Sequence, residues 1–337
     1  MAERPPAEAI RLLNGFRGYQ LVVAACRLKL PDLVAAGHGE PAALAAMTKT
    51  HAPSMRRVLR GLAALGFFEE DAGGRYRPTT TSDWFRSDRP GLRNMTLMLS
   101  KEGYRAWAEL QHALETGGPV FEHVYGKNRW EKMADDPDDA ALFNAAMAET
   151  SDRVGAAFVA GYDLHGVDTV IDVGGGNGAL LAAVLVKLPH AQGILFDLPA
   201  GLAGAAERMR TADVDERVTL VEGSFFESIP ASGDLYLLKS IVHDWDDGLA
   251  TAILSACQQA MKPSARLVLV ERFLPDRVES PGLELATVMS DLHMMVVLGG
   301  RERTTAEYAL LLDAAGLRMT RTVMLDSDFY AIEAASA

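Results

Sequence analysis

A histidine stands where a strand is expected to end, in Lys239-Ser240-Ile241-Val242-His243-Asp244-Trp245. With an ordinary pKa near 6.5, such a residue beside a ligand mouth suits general base chemistry. It can equally cap the helix that follows. Upstream, Thr169-Val170-Ile171-Asp172-Val173 is a β-branched run of strand length that opens into Gly174-Gly175-Gly176-Asn177-Gly178. The stretch after it, 179–187, reads as a helix. Strand, glycine turn and helix begin a nucleotide-binding α/β unit. The glycines permit a sharp turn and leave main chain bare for a ligand. Gly174, Gly176 and Ala179 also fit the dinucleotide fingerprint in its Gly-or-Ala form, and a tight turn with no ligand is the plain alternative. Asp197 follows Asp172 by 25 positions and can accept from both ribose hydroxyls of a nucleoside, or cap a helix at 199–210. Phe225 can stack on an adenine or fill the core.

These residues need a scaffold that brings strand ends together. Strands are expected at 169–173, 193–196, 218–222, 235–239 and 267–271, with helices at about 179–188, 199–210 and 247–261 between them. Two further strands read at 318–323 and 329–333. Strands alternating with helices predict a parallel sheet covered on both faces, with ligands at the carboxyl ends of the strands. Those ends carry Asp172, Gly174, Asp197, Glu222 to Phe225, Lys239 to His243, and Glu271.

Ahead of this lies a different texture. Residues 8–36 carry Ile10, Leu13, Leu21, Val22, Ala25, Leu28 and Leu33 at helical spacing, and Pro41 and Pro53 open two more helices. Phe67 to Arg77 reads as strand, turn, strand around Asp71-Ala72-Gly73-Gly74. Helices followed by a small hairpin make a winged helix. Arg56, Arg57 and Arg60 on its third helix raise DNA binding, but three arginines are few against the roughly 6–10 phosphate contacts of strong electrostatic binding. A dimerisation module is the competing use. Residues 91–165 read as mainly helical and rich in Met and aromatic side chains, most of them core, some suited to an apolar pocket.

The 337 residues suggest two domains. Residues 1–90 hold 13 Lys/Arg against 9 Asp/Glu, a net +4, and the remainder nets −16. The second part should repel nucleic acid and tolerate a cationic ligand. No apolar run approaches the roughly 20 residues of a membrane helix, and the N-terminus has no signal-peptide core. Cys26 and Cys257 are too few for a disulfide framework or a zinc site, so a cytoplasmic, metal-free protein is expected.

Taken together, several motifs resemble one family: the S-adenosylmethionine-dependent small-molecule O-methyltransferases of the plant caffeate type, and above all their bacterial relatives acting on aromatic natural products. They are Asp172 to Gly178, Phe196-Asp197-Leu198-Pro199, Gly223-Ser224-Phe225-Phe226, His243-Asp244-Trp245, Val270-Glu271-Arg272, and Gly299-Gly300-Arg301-Glu302-Arg303-Thr304. Phe143-Asn144-Ala145-Ala146-Met147 matches a family helix touching both ligands. The resemblance implies a Rossmann-like class I methyltransferase domain with a mostly parallel seven-stranded sheet at 166–337. It further implies a winged-helix dimerisation domain at 1–90, a helical pocket segment at 91–165, and a homodimer. S-adenosylmethionine would be held by Ser151, Asp172, Gly174, Gly176, Asp197, Leu198, Ser224, Phe225 and Lys239, leaving S-adenosylhomocysteine as product. His243 would be the catalytic base, oriented by Glu271 and Glu302. Many plant members have Asp where this chain has Ser224, so the adenine contact there departs from the pattern. Pocket candidates for a small aromatic substrate are Trp130, Met133, Phe143, Asn144, Met147, Asp244, Met289, His293 and Met294.

The chemistry is feasible without a metal. A phenol near pKa 10 and an imidazole near 6.5 leave about 3.5 units, or about 5 kcal/mol, for full proton transfer. A sulfonium charge some 4 Å away offsets on the order of 4 kcal/mol at an effective dielectric near 20. Alternatives kept open are a non-methylating enzyme on the same scaffold (hydroxylase, decarboxylase or cyclase) and, more remotely, a winged-helix regulator or an NAD-dependent oxidoreductase.

Overall fold

A computed structural model describes residues 5–279, 282, 284–326 and 328–337. They form two compact units, Met1–Tyr104 and Arg105–Ala337.

The first unit begins with α1 (Ala7–Arg27), α2 (Leu30–Ala35), α3 (Pro41–Met47) and α4 (Ala52–Ala64). A two-stranded antiparallel hairpin of β1 (Phe68–Glu70) and β2 (Tyr76–Pro78) follows, pairing Phe68 with Pro78. Two short helices, α5 (Thr80–Asp83) and α6 (Arg93–Leu99), complete it. The single helix expected over 8–36 is instead two, because Lys29 adopts the left-handed conformation (φ 52°) and breaks the run. Leu30, Val34, Leu44, Met55, Leu59, Leu62, Phe67 and Tyr76 make its core. Arg56, Arg57 and Arg60 are exposed. So is the early part of α1, where Leu12, Leu13 and Phe16 are 72%, 64% and 56% exposed.

From Glu102 the chain runs through α7 (Glu102–Trp107), α8 (Leu110–Thr116), α9 (Val120–Tyr125), α10 (Arg129–Ala134) and the long α11 (Pro137–Gly161). Pro137 at the first helical position and the Asp136 carboxylate, accepting from the Asp138 and Asp139 amides, start α11. Then come β3 (Thr169–Val173), α12 (Ala179–Lys187), β4 (Gln192–Asp197), α13 (Ala205–Thr211), β5 (Val218–Glu222) and β6 (Leu235–Lys239). The chain ends with α14 (Asp247–Ala260), β7 (Arg266–Arg272), α15 (Leu285–Val297), α16 (Thr305–Ala314), β8 (Leu317–Met324) and β9 (Phe329–Ser336). No helix among the described residues is long and apolar enough to cross a membrane.

The seven strands lie in the order β5-β4-β3-β6-β7-β9-β8. The first five are mutually parallel, whereas β9 runs antiparallel to both β7 and β8. Alternate residues feed opposite faces, as the period of a strand requires. Val170, Leu235, Leu237 and Val268 pack with Val154 and Phe158 of α11 and Leu180 and Leu181 of α12. Ile171, Tyr236, Leu238 and Leu267 pack with Ile253 and Leu254 of α14 and Tyr308 and Leu312 of α16. Both faces being covered explains why these strands read as continuous apolar runs. From β3 the chain builds outward to β4 and β5, then returns to β6 on the other side. The crevice at the carboxyl ends of β3 and β6 is therefore the topological switch point where doubly wound sheets bind ligands.

One expected element is shorter than its sequence suggests. The helix anticipated over 199–210 forms only as Ala205–Thr211. The segment before it is diverted into turns. The Leu198 amide donates to Asp197 (2.6 Å) and the Ala200 carbonyl accepts from Asn144 of α11 (3.1 Å).

Candidate active site

Two groups of side chains meet at the switch point. The first surrounds the glycine turn after β3. Gly174 (φ 68°) is forced: a Cβ there would lie 2.5 Å from Ile241 Cδ1 and 3.6 Å from Phe225 Cε1. Gly176 (φ 58°) instead faces open space, with nothing within 4 Å of where its Cβ would be. Its amide donates to Asp197 Oδ2 at 2.7 Å, so the end of β4 is tied to the turn after β3. Each Asp197 oxygen thus holds one backbone N–H, and an ionised carboxylate keeps further lone pairs for a ligand. Phe225 is half-buried against the core, edge-on to Trp245, and also borders Gly174. Ser224 Oγ accepts from the Phe226 amide (3.3 Å), and Leu198 is half exposed.

Asp172 beneath this turn is fully buried, and neither carboxylate oxygen has a well-placed hydrogen-bond partner. Burial, with the Asp197 charge adding, pushes its pKa up to about 7. A buried acid with no well-aligned partner beside a bare glycine turn suits an ammonium group. Lys239, at the end of β6, is half-buried; desolvation pulls its ammonium down to about 8, and Nζ reaches Ser240 Oγ at 3.2 Å. Ser151 lies on α11 one turn before Gly155, whose Cβ position falls 3.3 Å from Ala183 of α12. That face of α11 runs toward the glycine turn.

The second group is a buried proton-handling cluster. His243 lies in a 3-10 turn, Val242–Asp244, just past β6. Its Nδ1 is 3.2 Å from Glu271 Oε2 and 3.2 Å from Glu302 Oε1, the two oxygens flanking the nitrogen rather than either lying squarely on its N–H axis. Its Nε2 is 3.3 Å from Asp244 Oδ1. Glu271 ends β7, and its other oxygen accepts from the Ile241 and Val242 amides at 3.0 and 2.9 Å. Glu302 arrives on the loop after α15, held by Ser290 Oγ (2.7 Å) and by its own amide to Asp291 Oδ1 (3.0 Å). Burial disfavours the imidazolium, but the Glu271 and Glu302 charges overcome it and raise the His243 pKa well above 6.5. Burial raises Glu271; for Glu302 burial is outweighed by His243, and its carboxyl is held low. These three ligand atoms lie within 4.8 Å of one another, close enough for a metal. The Arg272 guanidinium 3.9 Å from Glu302 Oε1 opposes a second cation there.

Residues the sequence reading did not single out hold this cluster. Arg303, 1% exposed, donates to the Val242 carbonyl (3.0 Å), the Trp245 carbonyl (2.9 Å) and Asp247 Oδ1 (2.7 Å), clamping the turn that carries His243. The backbone at Gly300 passes so close that a Cβ would lie 2.1 Å from the His243 carbonyl oxygen. Arg303 belongs to a motif visible in the sequence, whereas Ser290 and Asp291 gave no local signal. Among the pocket candidates, Trp130 packs edge-on to Phe143 (5.7 Å), Asn144 binds the Ala200 carbonyl, and Met133 and Met294 are buried. Met289 is 48% exposed on α15, and His293, one turn on, accepts from Trp107. Met147 lies on α11 one turn after Phe143.

Residues 107–318 match the O-methyltransferase domain, and residues 10–88 the O-methyltransferase dimerisation domain. The chain belongs to this O-methyltransferase family. A phenazine O-methyltransferase, PhzM, from Lysobacter antibioticus is 37% identical over 326 residues, 96% of this chain and 94% of that protein. The crystal structure of LaPhzM superposes with a TM-score of 0.91 at 37% identity, covering 98% of this chain and 100% of that one. An O-methyltransferase of neocarzinostatin biosynthesis, NcsB1, solved with S-adenosylmethionine and 2-hydroxy-5-methyl naphthoic acid, gives 0.81 at 31% identity over 95% and 96%. One relative carries a different activity in its name: aclacinomycin 10-hydroxylase RdmB from Streptomyces purpurascens, 33% identical over 92% of this chain and 85% of that protein. This methyltransferase is an S-adenosylmethionine-dependent enzyme, and the orphaned Asp172 carboxylate and bare Gly176 turn fit that cofactor.

Proposed function

We propose that the enzyme methylates a hydroxyl of an aromatic or polyketide-like small molecule, with His243 as general base. The observation that carries this is the buried imidazole at the switch point, its Nδ1 flanked by two carboxylates at 3.2 Å. With the Nδ1 proton facing Glu271 and Glu302, Nε2 is the nitrogen that takes the proton of a substrate hydroxyl, which must displace the Asp244 Oδ1 contact at 3.3 Å. By raising the basicity of the ring, the two carboxylates narrow the roughly 3.5-unit gap to a phenol. The same carboxylates favour the imidazolium in the free enzyme, and the ring acts as a base only in its neutral form. The cofactor supplies an electrophilic methyl group on a positively charged sulfur. A second positive charge near His243 disfavours the imidazolium and so favours the basic form.

In this reading Asp172 takes the amino group of the cofactor, Gly174 and Gly176 the chain beside it, and Ser151 its carboxylate. Asp197 and Leu198 take the ribose, and Ser224, Phe225 and Lys239 the adenine end. The aromatic and Met side chains of α10, α11 and α15 suit a flat substrate. We also propose a homodimer through residues 1–90, supported by the matched dimerisation domain and the exposed Leu12, Leu13 and Phe16 of α1.

The test is release of S-adenosylhomocysteine with a panel of phenols, wild type beside His243→Ala. Turnover lost in the variant, with cofactor binding kept, supports the base. Turnover equal in both removes His243 from that role. The hydroxylase relative favours one second reading, a non-methylating reaction on the same scaffold. Product mass decides: a gain of one CH₂ unit supports methylation, and any other change supports the alternative.

A further inference from the structure

One polar side chain of α15 has its orientation set by a hydrogen bond. Trp107 Nε1 donates to His293 Nδ1 at 3.1 Å, with the rings nearly parallel at 14°. An indole nitrogen can only donate, so Nδ1 must carry the lone pair. The single proton of the neutral ring is therefore on Nε2. Flipping the ring would place a C–H against the indole N–H and strand that donor. Burial, with the charges of Arg129 and His243 adding, pulls the His293 pKa down to about 4, so the ring carries no charge at neutral pH. Among the described residues Nε2 has no hydrogen-bond partner.

The location ties this donor to the reaction centre. His293 is on α15, whose Ser290 and Asp291 hold Glu302. Val296 and Val297 of the same helix anchor it on Val120 and Phe121 of α9. The helix leads to Gly299 and then to Gly300, whose backbone abuts the His243 carbonyl.

We propose that His293 is a specificity-determining residue, a neutral donor with a fixed direction. Its Nε2–H pairs with a hydrogen-bond acceptor, a carbonyl oxygen or ring nitrogen, built into the aromatic frame that bears the reacting hydroxyl. The proposal rests on the methyltransferase reading of the site. A plain hydrocarbon ring would leave the N–H unpaired and be disfavoured, because sites built to hydrogen-bond reject ligands that cannot. His293 is thereby a selector of substrate and not a second base.

The test uses isosteric pairs: naphthols and the hydroxyquinolines that replace one ring CH by N, the nitrogen walked around the frame. Dissociation constants are measured on the full-length enzyme loaded with S-adenosylhomocysteine, so no turnover is needed. At least one hydroxyquinoline should bind on the order of 10-fold more tightly than its naphthol in the wild type. That preference should fall to near unity in His293→Leu and be partly kept in His293→Gln, which retains an N–H donor. No preference in the wild type, or one that survives His293→Leu, overturns the proposal. Nitrogen-15 spectra of the wild-type imidazoles give an independent reading, with protonated Nε2 and bare Nδ1 expected for His293. A proton on Nδ1 overturns it as well. Methyl transfer to a naphthol without any preference sinks this proposal and leaves the functional reading standing. The preference without methyl transfer does the reverse.

Discussion

At the scale of single residues, His243 is pulled two ways: Glu271 and Glu302 make it a stronger base and also keep it protonated. Because the basic form must be present, kcat/KM should rise with pH through the His243 pKa of the free enzyme. The His243→Ala variant should lose about 10²- to 10⁴-fold in kcat, flatten that acidic limb, and still bind S-adenosylhomocysteine by calorimetry. Glu302→Gln removes one carboxylate that favours the imidazolium, so the His243 pKa falls and the limb must move to lower pH. A limb that moves up, or stays, contradicts the assignment. Residue types and their spacing made His243 visible in the sequence, and Glu271 and Glu302 entered through the motifs around them. The tautomer of His293 was not legible, because its partner Trp107 lies 186 positions away.

At the scale of elements, the glycine turn could be read directly, since strand, turn and helix are local. The loops that press against it could not. Residues 198–204 look helical in isolation, but Asn144 and Asp197 capture their backbone groups and delay α13 to Ala205. The His243 turn has no regular structure of its own beyond Val242–Asp244; Arg303 and the Gly300 backbone give it its shape. Arg303→Met should remove the donor from three carbonyls, those of Val242, Trp245 and Arg301, and cost about 2–3 kcal/mol in denaturant unfolding. Gly300→Ala should displace the His243 backbone. We expect kcat to fall at least about 10-fold while affinity for S-adenosylhomocysteine changes far less, since a positioning error of about 1 Å can cost on the order of 10² in rate. Equal losses in both would place Gly300 outside the catalytic arrangement.

At the scale of the molecule, the exposed apolar start of α1 is unusual for a lone chain. Ile10 and Leu13, two of the apolar residues that recur at helical spacing in the sequence, are 45% and 64% exposed. Apolar side chains gathered on one exposed helix face mark an association surface. Leu13→Glu with Phe16→Glu should shift the protein from dimer to monomer by light scattering, without loss of the first unit's helical signal. A wild-type protein that is monomeric at micromolar concentration rejects the dimer.

The sequence by itself determined the alternation of strands and helices, the chemistry at each strand end, and the sign of charge in each part of the chain. Those features depend on neighbours within a few positions, where periodicity and turn chemistry act. Only the tertiary structure decided which strand ends share one crevice: β3 and β6, with β7 beside β6. Only it showed that Asp172 is buried with no well-aligned partner, that Arg303 clamps the turn carrying His243, and that Trp107 fixes the proton of His293. Burial and hydrogen-bond direction set those properties, and both arise from contacts between segments far apart in the chain.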